Sequence, residues 1–147
     1  MLADILKGIP FVLIAKSIFG LAMPFLYLIA FCAILGHAFS PFLGFKGGKA
    51  LAVFGGTLLA LNQWDVLVVL AILFFVGFLF IGNDSWIVVL GLLVTFIFCL
   101  WIRADIWQIA FVGCVTALLI YKHWDSLKTP NHSGRLVNWI RSRKKAA

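Results

Sequence analysis

The sequence predicts an all-α fold, a polytopic helical membrane bundle with five to six transmembrane segments, and three observations predict it. Of the 147 residues, 64% are hydrophobic and 12% charged, whereas a soluble domain averages roughly half apolar and a quarter charged residues. Long apolar runs follow one another with little between them, and a helical span needs about 20 such residues. Trp64, Trp86, Trp101, Trp107, Tyr121 and Trp124 fall at the ends of those runs, where an interfacial aromatic belt lies. In hydrocarbon every backbone polar group has to be paired internally, so the runs read as helices packed into one bundle.

Residues 9–19 are apolar but bracketed by Lys7 and Lys16, with Pro10 inside. They reach span length only if the helix takes in Asp4 and Lys7, or if the chain begins partway along a longer helix. Asp4 and Lys7 stand three residues apart and so share a helix face, where they can pair. A charged pair in a span usually faces the protein interior, which leaves a structural ion pair and support of a site both open. Residues 17–36 carry no charge and are long enough to cross; Pro24 either kinks that segment or marks its first turn. Residues 50–64 are short for a crossing, so the stretch before them is expected to dip below the headgroups. Non-helical backbone is tolerated at that depth only where it lines a polar cavity.

Residues 66–83, 85–102 and 106–121 supply three more spans, and their tight connections make neighbours antiparallel. Residues 1–124 therefore form the membrane domain and 125–147 a basic tail. Within the tail, 129–134 reads as a turn-rich link. Leu136, Val137, Trp139 and Ile140 can then share one face among arginines and lysines, which suits an interfacial helix or a frayed basic end.

Net charge is +7, and from Lys122 onward seven Lys and Arg stand against one Asp. A basic tail directly after the last span predicts a cytoplasmic C-terminus in contact with anionic lipid headgroups. Counting back along antiparallel spans places Lys46, Lys49 and the tail on the inner side and Lys16 and Arg103 outside. Nucleic acid is excluded as a partner because no folded basic domain is present. Cys32, Cys99 and Cys114 lie in apolar runs without metal-like spacing, so they read as small hydrophobes and no metal site is expected. The first residues lack a basic n-region and a cleavage site, and no removable signal peptide is expected.

Chemistry concentrates in residues 36–49, the one place where glycines, lysines, a histidine and a serine gather between apolar runs. Adjacent Gly47 and Gly48 let the backbone turn with several N–H groups aimed one way, a concavity that suits an anion. The helix expected from Ala50 onward turns its positive end to the same spot, and Lys46 and Lys49 flank the pair. These residues describe a phosphate-binding loop; they also describe an ordinary loop at a membrane surface. Glu is absent from the chain, and no Gly-x-Ser-x-Gly, His-Glu-x-x-His or paired-carboxylate arrangement appears, so hydrolytic machinery is excluded. Such a site can still hold an activated phosphate-bearing substrate and neutralise charge as its bond breaks.

Gly36-His37, Ser40, Phe45-Lys46-Gly47-Gly48-Lys49 and Ala52 resemble the second signature of the bacterial acyl-phosphate:glycerol-3-phosphate acyltransferases, the PlsY family. Asp4-Ile5-Leu6-Lys7-Gly8 is similar to that family's Asp-x-x-Lys-Gly helix, and Ile120-Tyr121-Lys122-His123 to the end of its last span. The resemblance implies a seven-helix inner-membrane enzyme that moves an acyl chain from acyl phosphate to the 1-hydroxyl of glycerol 3-phosphate, giving lysophosphatidic acid and phosphate without a cofactor. By position it implies a phosphate pocket of Lys46, Gly47, Gly48 and Lys49, shaped by His37 and Ser40. His123 would bond a substrate oxygen, and Ser85 would match the first serine of the third signature, although its own place at the start of the next apolar run reads first as a helix cap. The family's first span and first signature have no counterpart here, which predicts either a truncated reading or a diverged relative. Ala50 replaces a usual glycine, a neutral change if that residue is helical. An inactive relative and a small anion transporter are the alternatives.

Overall fold

The structure is a computed structural model that describes residues 2–40, 44, 47–102 and 104–128. Among the described residues the chain forms six α-helices in an up-and-down bundle. Helix α1 (Leu2–Ser17) takes in Asp4 and Lys7, whose side chains pair at 3.1 Å. The uncharged run 17–36 is not one helix. Residues 18–22 form a link with Gly20 in the left-handed region at φ +58°, where the absence of a Cβ removes the steric penalty. Helix α2 (Met23–Ala38) then starts with Pro24 in its first turn, a position where the missing N–H costs nothing.

Helix α3 (Leu51–Ala60) has ten residues, about 15 Å of rise and half a hydrocarbon layer. It packs against α1 at backbone distance, and glycine makes that possible from both sides. A Cβ on Gly8 would lie 2.6 Å from the Val53 carbonyl oxygen, and one on Gly56 would collide with the Ile5 carbonyl. Small residues at a crossing let helices gain dispersion contact that lipid tails cannot match.

Helices α4 (Trp64–Phe80), α5 (Asp84–Trp101) and α6 (Ile106–Leu127) follow with short links. Helices α5 and α6 are long and apolar enough to cross a bilayer, while α2, α3 and α4 are apolar but shorter. The boundary expected at 124 falls inside α6, and the tail from residue 129 lies outside the described residues. Asn83, not Ser85, caps α5 by accepting from the Ser85 N–H at 2.9 Å; Asp105 caps α6 through the Trp107 N–H.

The interior holds Val12, Ala30, Ile34, Phe54, Leu58, Leu92, Val112 and Leu119. Large apolar side chains also cover the outside: Phe75 is 66% exposed, Ile97 62% and Leu28 59%. A continuous apolar exterior of this kind is stable in lipid and not in water. Alternation of direction brings the starts of α1, α3 and α5 and the ends of α2, α4 and α6 to one end of the bundle.

Candidate active site

That end collects most of the residues singled out in the sequence. His37 sits in the last turn of α2, and the chain returns to it after the 41–46 stretch. Gly47 presses onto the end of α2: a Cβ there would collide with the His37 carbonyl and lie 2.6 Å from that of Ala38. Gly48 lies against the imidazole itself, where a Cβ would come within 2.5 Å of His37 Nε2. Close approach to backbone is thus what demands glycine at Gly47, while at Gly48 the neighbour is the His37 side chain. Neither takes the left-handed conformation; the expected turn is made instead by Gly44 and Ala50, at φ +58° and +56°.

Ala50 is therefore not helical, contrary to the condition under which alanine is neutral there. It is the residue before α3, buried and left-handed, a conformation that costs an L-residue with a Cβ roughly 1–2 kcal/mol. Ala50 offers no side-chain cap to the first N–H groups of α3, which have no partner within the helix. Lys49 is exposed, Ser40 half-buried just beyond α2, and Lys46 lies outside the described residues.

From the opposite wall α6 contributes His123, 2% exposed. Its Nδ1 stands 2.8 Å from the Leu119 carbonyl oxygen. A carbonyl only accepts, so Nδ1 carries the proton and Nε2 is the acceptor of the neutral ring. Helix α6 packs on α2, and α1 packs on both α2 and α3. Loop, α1, α2 and α6 thereby converge.

Ser85 is 3% exposed in the first turn of α5. Asn83 ties that turn to α6, donating from Nδ2 to the Ser126 carbonyl at 3.4 Å. Sequence reasoning gave the capping role to Ser85 and missed this bridge, although Asn directly before an apolar helix is a strong N-cap signal. It also missed Phe39, whose ring meets the Lys122 ammonium at 4.7 Å. Among the described residues no group of three or more His, Cys, Asp or Glu could hold a metal ion.

A family profile described as glycerol-3-phosphate acyltransferase matches residues 1–130. The chain belongs to the glycerol-3-phosphate acyltransferase family. Among its relatives, a glycerol-3-phosphate acyltransferase of Thermus thermophilus is 33% identical over 85% of this chain and 62% of that protein. The Helicobacter pylori enzyme of the same name is 30% identical over 99% of this chain and 66% of its own length. The chain thus spans slightly under two thirds of either.

Two crystal structures of PlsY (YgiH), an integral membrane glycerol 3-phosphate acyltransferase, have the same fold. The glycerol 3-phosphate form superposes with TM-score 0.78 at 25% identity, covering 95% of this chain and 71% of that one. The lysophosphatidic acid form gives 0.75 at 27%, covering 86% and 64%. In this acyltransferase-family chain, as in PlsY, the helices form an integral membrane fold.

Proposed function

We propose that the chain transfers an acyl group from acyl phosphate to the 1-hydroxyl of glycerol 3-phosphate, releasing lysophosphatidic acid and inorganic phosphate. The single observation that carries this reading is the seating of Gly47 and Gly48 against His37 and Ala38 at the end of α2, directly before Lys49 and the start of α3. Backbone N–H groups at the start of a helix and an ammonium beside them suit an anion, and the neutral His123 imidazole offers an acceptor at the same end of the bundle.

An acyl phosphate is a mixed anhydride, so its carbonyl arrives activated and no enzyme nucleophile is required. The glycerol 1-oxygen forms the new ester bond to the carbonyl carbon. The bond from that carbon to the phosphate oxygen breaks, and the alcohol proton leaves with the phosphate. Lys49, with Lys46 preceding the glycine pair in sequence, neutralises the dianion as it departs. His123 Nε2 accepts from the glycerol hydroxyl and aims it; His37 and Ser40 shape the recess, and Ser85 lines it from α5.

The positive-inside imbalance supports placing this end and the C-terminus at the cytoplasmic face of a bacterial inner membrane, with the glycine-rich loop there and five to six helices crossing or entering the bilayer. Anionic lipids would meet the basic tail. Proteoliposomes carrying the chain, given acyl phosphate and glycerol 3-phosphate, should form lysophosphatidic acid and phosphate in equal amounts. Phosphate crossing the membrane without lysophosphatidic acid would instead identify an anion transporter, and neither event an inactive relative.

A further inference from the structure

Lys122 and Phe39 take no part in the chemistry above, yet they join its two walls. Phe39 is the residue after α2, its backbone N–H still bonded to the Leu35 carbonyl at 2.8 Å. Its ring lies 4.7 Å below the Lys122 ammonium and 6.4 Å from the Tyr121 ring, tilted 36°. Both partners stand on α6, directly before His123. The carboxylate one turn on, Asp125, pairs with Lys128 at 2.8 Å, and the Lys122 charge is turned to the aromatic face.

Phe39 follows the two residues, His37 and Ala38, against which Gly47 and Gly48 are wedged. A displacement of Phe39 therefore displaces the seat of the glycine pair and, through it, Lys49. We propose that Lys122 and Phe39 are positioning residues: their cation–π clasp fixes the end of α2 against α6 and so sets the distance between the loop and His123. This rests on the acyl-transfer reading of the site. A cation over a ring is strongest where water is excluded, and both side chains are half-buried at the bundle end.

The test uses the reconstituted chain and the variants Phe39→Leu, Lys122→Met and their double. Each single substitution should lower kcat about tenfold, the scale of a partly desolvated cation–π contact, with KM for glycerol 3-phosphate and the thermal midpoint unchanged. The double should fall no further than the worse single, since one clasp is removed once. Phe39→Tyr and Lys122→Arg, which keep ring and cation, should recover most of the rate.

Three results would overturn the proposal. A raised KM in Lys122→Met with Phe39→Leu at the wild-type rate would make Lys122 a direct substrate ligand. Additive losses would make the residues independent, and rates that follow a falling midpoint would make the contact structural only. Should the wild-type chain form no lysophosphatidic acid, the acyl-transfer reading fails by itself. The clasp is then judged by the His123 imidazole resonances in 15N-histidine-labelled protein, which either single variant shifts if it is right and leaves in place if it is wrong.

Discussion

At the scale of single residues, Gly47 and Gly48 differ in what a methyl group would meet, and the difference is measurable. At Gly47 the obstacle is backbone, the carbonyls of His37 and Ala38. Gly47→Ala should therefore cost about 1–3 kcal/mol, as overpacking against unyielding atoms does. At Gly48 the obstacle is a side chain, His37, which can swing aside. Gly48→Ala should leave the thermal midpoint nearly unchanged while lowering turnover, and His37→Ala should absorb the added methyl in the double variant. Ala50 gives the opposite expectation. Its left-handed φ of +56° means Ala50→Gly should stabilise the fold by roughly 1 kcal/mol, less the small burial lost with the methyl. A lowered midpoint would show that the turn is not strained as its dihedrals say.

At the scale of elements, the seating of α3 on α1 places the start of α3 and the loop residues just before it, Lys49 among them. Gly8 and Gly56 each face a backbone carbonyl of the partner helix, so a larger side chain has to part the helices. Gly8→Val should cost about 2–3 kcal/mol and lower turnover as well, because the N-terminus of α3 moves with its helix. Turnover retained in a variant whose midpoint falls would separate the crossing from the site. The Asp-x-x-Lys-Gly pattern thus has a legible physical content: Asp4 and Lys7 pair on the surface of α1 at 3.1 Å, while Gly8 serves the crossing. Helix existence was readable from apolar runs, because hydrophobicity persists whatever the neighbours are. Helix ends were less so. The break at residues 18–22 depends on Gly20 adopting positive φ, and an isolated glycine does not reveal its conformation in sequence.

Across the whole molecule, the polar contacts between helices lie at the two ends of the bundle, while the buried hydroxyls of Thr57 and Thr95 in the middle bond back to carbonyls of their own helices. The end remote from the site is tied by Gln63 donating to the Tyr27 hydroxyl at 2.9 Å and Gln108 to Asp65 at 3.3 Å. Tyr27 and Phe54 both pack on the Phe111 ring, at 5.3 and 5.9 Å between centroids. The site end has instead His37, Gly47, Gly48, Lys49, Ser85 and His123, brought in by four stretches of chain. Their residue types were legible because charge and glycine are conspicuous in an apolar sequence. Their reason was not: the loop needs glycine for contact with α2, a long-range fact, whereas local propensity speaks only of turns. Asn83 and Phe39 were missed on the same ground, since each acts on a distant part of the chain, α6.

The measurement that tests the account most directly is turnover of acyl phosphate and glycerol 3-phosphate by Lys49→Ala beside the wild-type chain. Loss of an ammonium that neutralises a departing dianion should lower kcat by about 100-fold or more, with the fold intact by thermal midpoint. Turnover equal to that of the wild type would contradict the phosphate-binding role of the loop, and with it the site built here around Gly47, Gly48 and His123.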